Sequence, residues 1–303
     1  MKTNLAVSTA LTALLLFAAP AASRADTLYV ANLYGQSIAK YDTTTGASLG
    51  VFANTGLSQP EGIVFDDLGN LYAANFYTSS IEKFTSQGVG SVFASTAPYQ
   101  PLGLAFDNQG NLYVANAGTN SSNNITKLTP DGAASVFASD TDGPEGLAFD
   151  SVGNLFVANA RSDTIEEFTP QGVGSLFASN GLAFPEGLAF DASGNLYVAS
   201  RGNDEILKFT STGVSTVFAS NLAPSALAFD SLGDLFVTSN NRIDEFKSHG
   251  GVLSDVPYIL VQTNVVNILT YIAIQIPEPA TWAMVALGIG ATLGGLRLGR
   301  RLS

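Results

Sequence analysis

Three glutamates sit in one recurring tripeptide: Pro60-Glu61-Gly62, Pro144-Glu145-Gly146 and Pro185-Glu186-Gly187. The same place in the other copies of the segment reads Leu102, Ser225 and Asn267. If these segments form a ring, three carboxylates and one amide oxygen converge on its axis. An all-oxygen set suits a hard divalent cation, Ca²⁺ first, with Glu61, Glu145, Glu186 and Asn267 as candidate ligands. The tripeptide has a plainer use as a turn whose carboxylates stay in water, and both readings are open. The chain has no cysteine and a single histidine, which argues against thiolate chemistry, a disulfide scaffold and a His-based relay. That histidine, His249, falls in a Ser248-His249-Gly250-Gly251 turn.

A second set of residues could hold an organic ligand. Tyr34, Phe76, Tyr77, Tyr99 and Phe184 fall outside the places where aromatic residues otherwise recur. Arg161 and Arg201 occupy matching connections of neighbouring repeats, and Asn32, Asn75, Asn116 and Asn159 close the segments before such connections. Exposed rings beside planar hydrogen-bonding groups suit a sugar or a peptide, whereas rings that merely pad loops would need no ligand. The net charge is −12. It becomes more negative once the terminal basic residues Lys2, Arg24, Arg297, Arg300 and Arg301 are set aside, which rules out nucleic acid as a partner.

The elements that would position these groups follow from a repeat of about 41 residues. Each unit reads as four short strands. The first is Pro-x-Gly-x-x-Phe, as at Pro60 to Phe65, and the second is Leu-Tyr-x-Ala-Asn, as at Leu71 to Asn75. The third is Ile-x-x-Phe, as at Ile81 to Phe84, and the fourth is Ser-Val-Phe-Ala, as at Ser91 to Ala94. Most of the Phe and Tyr residues recur at fixed places in this pattern, and rings at fixed places build a core. Between first and second strands stand Asp66, Asp107, Asp150, Asp191 and Asp230, each with Gly three residues later, the pattern of a hydrogen-bonded tight turn. The chain begins with a second strand at Thr27 and supplies its sixth first strand only near Ile268 to Ile274, with Tyr271 as the recurring aromatic residue. The expectation is an all-β, six-bladed propeller of four-stranded blades over residues 26–276, closed by pairing the C-terminal inner strand with the N-terminal strands.

The repeat resembles NHL-type propellers, whose units read Pro-x-Gly-Leu-Ala-x-Asp, Gly-Asn-Leu-Tyr-Val-Ala-Asp and Ile-x-x-Phe. The resemblance implies a six-bladed propeller and a binding role. The same architecture hosts metal-dependent lactonases of the gluconolactonase family and streptogramin lyases. In the former the metal is held at the channel mouth, which would transfer to Glu61, Glu145, Glu186 and Asn267, with Leu102 and Ser225 departing from the pattern. The latter rely on a catalytic His, for which His249 is on the wrong face.

The termini carry an address. Met1-Lys2, an apolar stretch from Leu5 to Ala22 and Ser23-Arg24-Ala25 fit a signal peptide over residues 1–25. Residues 277–303 hold Pro277-Glu278-Pro279, an apolar run from Ala280 to Leu296, and three arginines. This order resembles the PEP-CTERM sorting signal of Gram-negative bacteria, cut by an exosortase after transient membrane anchoring by the apolar helix. The resemblance implies an exported protein of the cell envelope or extracellular space, with an exosortase-type processing enzyme and exopolysaccharide or envelope peptide as partners. A permanent single-pass anchor is the alternative. The functional expectations are a non-catalytic binding propeller first, a metal-dependent hydrolase as its competitor, and a purely structural matrix component third.

Overall fold

A computed structural model describes residues 26–95, 100–118, 123–139, 141–262 and 269–275. All of them belong to one compact unit, Ala25–Ile276. Tyr99, Asn267 and the motif Pro277, Glu278 and Pro279 lie outside the described residues. Among the described residues no helix is long and apolar enough to cross a membrane.

The fold is all-β, with six four-stranded antiparallel sheets arranged as the blades of a propeller. The inner strands are Pro60–Phe65, Pro101–Phe106, Pro144–Phe149, Pro185–Phe190, Pro224–Phe229 and Leu269–Gln275. Each packs on the inner strand of the next blade around the full circle. The sixth blade draws on both ends of the unit, since Leu269–Gln275 pairs antiparallel with Thr27–Asn32. The second strands are apolar up to their polar last residues because they are covered on both faces, as in Leu71–Asn75 and Leu155–Asn159, where every residue is buried.

The recurring rings form the seams. Each second-strand ring meets the inner-strand ring of the following blade edge to face, as in Tyr29 with Phe65 at 4.9 Å, Tyr72 with Phe106 at 5.0 Å and Tyr197 with Phe229 at 5.3 Å between centroids. Such pairs are worth roughly 0.5–1.5 kcal/mol each beyond their burial. The last seam departs from the expectation. The pairing sets Ile274 opposite Leu28, as Phe65 stands opposite Leu71, so Ile274 and not Tyr271 takes the recurring aromatic place. The Asp turns are as the spacing required: Asp66 and Asp191 each accept two backbone N–H groups on Oδ1 at 2.8–3.0 Å. Gly69 and Gly194 complete them at φ 75° and 79°.

Candidate functional site

Every inner strand begins with the same irregularity. Pro60 pairs with Asn75 but Ile63 with Ala73, so Glu61 and Gly62 fill a one-residue bulge. The bulge recurs at Glu145, Glu186 and Ser225. A bulge re-aims a side chain, and the glycine after it lets the strands close up. A Cβ on Gly103 or Gly146 would lie 2.0 Å from the carbonyl oxygen of Glu145 or Glu186. The glutamates therefore leave the backbone where the ring is narrowest. In the sixth blade Leu269 pairs with Asn32 and Ile272 with Val30, so the bulge holds Thr270 and Tyr271. Thr270, three residues beyond Asn267, stands at the place of Glu61. Its hydroxyl donates to the carbonyl of Pro60 at 3.2 Å. The ring thus reads Glu61, Leu102, Glu145, Glu186, Ser225 and Thr270, and the expectation that Asn267 is its sixth member is corrected. The last repeat lacks both a Pro-Glu-Gly and an Asp turn, so nothing in its sequence anchored the register.

The three glutamates form one electrostatic unit. Desolvation, followed by the negative charge of Glu186, pushes the Glu61 carboxyl up to about 8. Glu145 is pushed up to about 8 by desolvation and then by Glu186 and Glu61. Burial also raises Glu186, but Arg201 opposes it: Arg201 Nη1 stands 2.7 Å from Glu186 Oε1. Tyr271 lies within reach of all three charges, and its burial raises the phenol far above its ordinary value. Its hydroxyl is buried without a hydrogen-bond partner. The ring side chain lines the axial channel with Ile63, Leu104, Leu147, Leu188 and Leu227. Among the described residues no three carboxylate or imidazole side chains stand close enough together to hold a metal ion.

The two arginines do not occupy equivalent places. The backbone N–H of Arg201 donates to the residue before the inner-strand proline, Phe184. In the neighbouring blade it is Ala160 that donates to Gly143, and Arg161 follows one residue later. That offset sends the side chains apart. Arg161 donates from Nη1 to the side-chain oxygen of Asn123 at 3.2 Å, with the Asn123 amide nitrogen directed at the carbonyl of Gly118. The connections are equally long, residues 160–163 and 201–204, so the offset lies in the sequence itself: Arg161 falls one residue further from Leu155 than Arg201 does from Leu196. Phe76 is in turn the equivalent of Ala160 and Arg201, its N–H donating to Gln59.

The aromatic residues that fall among the described ones occupy connections at the Glu-bearing end of the blades. Tyr34 and Tyr77 are 59% and 76% exposed, and Phe76 is partly buried. Phe184 is 42% exposed and has φ 46°, where the equivalent Gly143 has 65°. A bulky residue in the left-handed region is strained, and Phe184 is held there by a 2.7 Å bond from its N–H to Asp163. Two of the asparagines are bonded within the frame. Asn75 clamps its loop through Ser58 and Gly56, and Asn116 is buried among Asn124 and Thr126. His249 follows the third strand of the fifth blade, at the end opposite the glutamates.

No family model and no curated relative matches the chain. Solved structures do. A virginiamycin B lyase from Staphylococcus aureus is 17% identical, with 79% of this chain and 81% of the other covered at a TM-score of 0.62. The propeller in a nidogen/laminin complex is 19% identical, covering 82% and 97% at 0.70. A streptogramin B lyase is 16% identical, covering 80% and 91% at 0.63. One structure of the Staphylococcus aureus lyase carries a His-to-Ala change that leaves it catalytically inactive. At these identities the likeness establishes the six-bladed propeller fold.

Proposed function

We propose that this chain is an exported propeller that binds an envelope glycan or peptide without turnover, at the face bearing Glu61, Glu145 and Glu186. The observation that carries the reading is the acidic mouth itself. Two of its three carboxylates have no cation in contact, and exposed rings at Tyr34, Tyr77 and Phe184 stand in the connections of the same face. The terminal segments supply the route: a signal peptide for export and the Pro277-Glu278-Pro279 tail for sorting by an exosortase-type enzyme. The place of the chain's single His, His249, on the far face argues against carrying over the His-dependent reaction of the lyases. The reading also agrees with the presence of a binding propeller among the solved structures it resembles.

The second reading is a hydrolase with a divalent cation, Ca²⁺ first, among the glutamates. An oxygen-only donor set is the kind such a cation takes, against which stands the lack of three clustered carboxylates among the described residues; its test is metal analysis of the purified chain with a lactone and ester panel.

Phe184→Gly separates ligand binding from folding. Glycine adopts the local φ without strain, so the melting temperature should hold or rise. Association with an isolated envelope polysaccharide and peptide fraction should weaken by about tenfold, the loss of one aromatic anchor. Unchanged association of Phe184→Gly and of Tyr77→Ala would remove this face from the binding reading.

A further inference from the structure

The blades act as controls for one another at the end away from the glutamates. In the first, second and fourth blades the turn carboxylate is met by two donors on its Oδ2. Asn70, Asn111 and Asn195 donate from Nδ2 to Asp66, Asp107 and Asp191 at 2.8, 2.8 and 2.7 Å. Lys83, Lys127 and Lys208 bring an ammonium to the same three oxygens at 3.5, 3.6 and 3.6 Å. The third blade keeps the amide alone: Asn154 donates to Asp150 at 3.1 Å and to Glu167, which stands in the place of the lysine, at 2.8 Å.

The fifth blade has exchanged both donors for acceptors. Asp234 stands where the first four blades have asparagine, and the pairing of Phe236 with Glu245 repeats that of Tyr72 with Lys83, so Glu245 takes the place of the lysine. Glu245 is 2% exposed and its Oε2 is buried without a hydrogen-bond partner, while Lys247 Nζ stands 3.2 Å from the other oxygen. A fourth carboxylate arrives from the residue before the sixth blade's second strand. Asp26 accepts the N–H and the hydroxyl of Ser231 on Oδ2 at 3.0 and 2.8 Å, next to Asp230. Burial raises the Asp230 carboxyl, and the charges of Asp234 and Asp26 add to the rise. Carboxylates gathered out of water repel unless a cation or a proton relieves them.

Asp26 is also where the fold takes hold of the chain. Its carbonyl accepts the Thr43 hydroxyl at 2.9 Å, and the next residue, Thr27, enters the sheet opposite Asp42 and Gln275. With carbonyl and carboxylate both held, its nitrogen is fixed beside the turn in which the Asp234 N–H donates to Asp230 Oδ1 at 2.8 Å. We propose that the export cut falls between Ala25 and Asp26, and that the α-ammonium it creates on Asp26 is the cation the fifth blade lacks, docked on the turn of Asp230 and Asp234. This rests on the export reading above and deepens it by naming the cut and what the new end does. An uncut chain offers only a neutral amide here. A cut further on would remove the Asp26 carboxylate with it, and an earlier one would leave the ammonium outside the turn.

The step balances as a hydrolysis. A signal-peptidase-type enzyme breaks the bond from the Ala25 carbonyl carbon to the Asp26 nitrogen, and water gives its hydroxyl to the carbon and a proton to the nitrogen. The new acid passes its proton to the new amine, which leaves a carboxylate on Ala25 and an ammonium on Asp26. An α-amine has an ordinary value of ~8 and carries its charge at pH 7. It brings N–H donors and no acceptor, the kind of group that Lys83, Lys127 and Lys208 supply to the other turns.

The test uses the full chain exported in a Gram-negative host and recovered from the envelope, its first residue read by intact mass and terminal sequencing. The expected first residue is Asp26. A mature chain with any other first residue would overturn the proposal and leave export standing, whereas a chain recovered uncut from the cell interior would take the export reading down with it. The α-amine of the mature chain is then converted to a neutral ketone by transamination with pyridoxal phosphate, which spares lysine side chains, and melting is followed at pH 7. The treated parent should melt roughly 3–6 °C lower. Asp234→Asn restores the amide that the first four blades carry, a residue the fold accepts at that place. In that variant and in Asp230→Asn, treatment should lower melting by roughly half as much or less, since each removes a charge that the ammonium meets. Equal melting before and after treatment, or the same loss in the parent and both variants, would overturn the proposal even with Asp26 as the first residue.

Discussion

Replacing Glu61 and Glu145 together by Gln should raise the melting temperature at pH 8.5 while leaving it nearly unchanged at about pH 4, below the unfolded-state value. The sign follows from linkage. A carboxyl whose folded value lies near 8 binds its proton more tightly in the folded chain than in the unfolded one, where it titrates near 4.5. Between those values the folded state holds more protons, so stability falls as pH rises through the window. Above pH 8 the parent must carry both charges in a desolvated mouth, next to Glu186. Gln is a close isostere of the neutral acid and carries no such burden. After discounting for the solvent that still reaches both side chains, the pair is worth on the order of 2 kcal/mol, or roughly 4–8 °C. Differential scanning calorimetry at the two pH values reads it directly. Parallel pH profiles for parent and variant would mean that the carboxyls titrate as ordinary surface groups.

The second large effect belongs to the ring itself. Gly146→Val should lower stability by about 3 kcal/mol or more, because the added Cβ meets backbone rather than a yielding side chain. It would lie 2.0 Å from the Glu186 carbonyl oxygen and 3.0 Å from its carbon. The inner strands must then part at the level where Glu145 and Glu186 leave the backbone. The variant should melt roughly 6–12 °C lower, and the carboxyl of Glu145 should move back toward its ordinary range as water enters. Ala226 and Tyr271 show that the ring is not equally tight all round. A Cβ on Gly187, facing Ala226, meets its nearest atom at 2.7 Å rather than 2.0 Å. Gly146 lies in the tight arc, so its replacement separates packing at the mouth from packing elsewhere. A Gly146→Val chain with parental melting would show that the mouth is wider than described.

Much of this was legible in the sequence where a residue had one physical use. The recurring rings had to be seams, and the Asp-x-x-Gly segments had to be turns, because few other contexts satisfy those spacings. The Glu61, Glu145 and Glu186 positions followed from the same regularity. The last repeat misleads because its motif has decayed. Without a Pro-Glu-Gly or an Asp turn, the only aromatic residue in the strand, Tyr271, reads as the seam ring. Pairing with Thr27–Asn32 places it three residues earlier in the pattern, in a bulge, with Ile274 in the seam. The partnership of Arg201 with Glu186 was hidden for a different reason. Whether an arginine falls first or second after a strand decides where it points, and a shift of one residue within connections of equal length is easily passed over when the connections are matched as wholes. The loop asparagines were ambiguous in kind, since an amide that clamps a loop and one that faces a ligand look alike in a sequence.

The claim on which the rest depends is that the mouth is a desolvated site in which only Glu186 has a cation in contact. Carbon-13 NMR titration of the glutamate side-chain carboxyls tests it without any ligand, with Glu61→Gln and Glu145→Gln providing the assignments. Two carboxyls should titrate near 8, the two missing in turn from those variants. All glutamates titrating below about 5.5, within the ordinary range for an exposed carboxyl, would contradict the account.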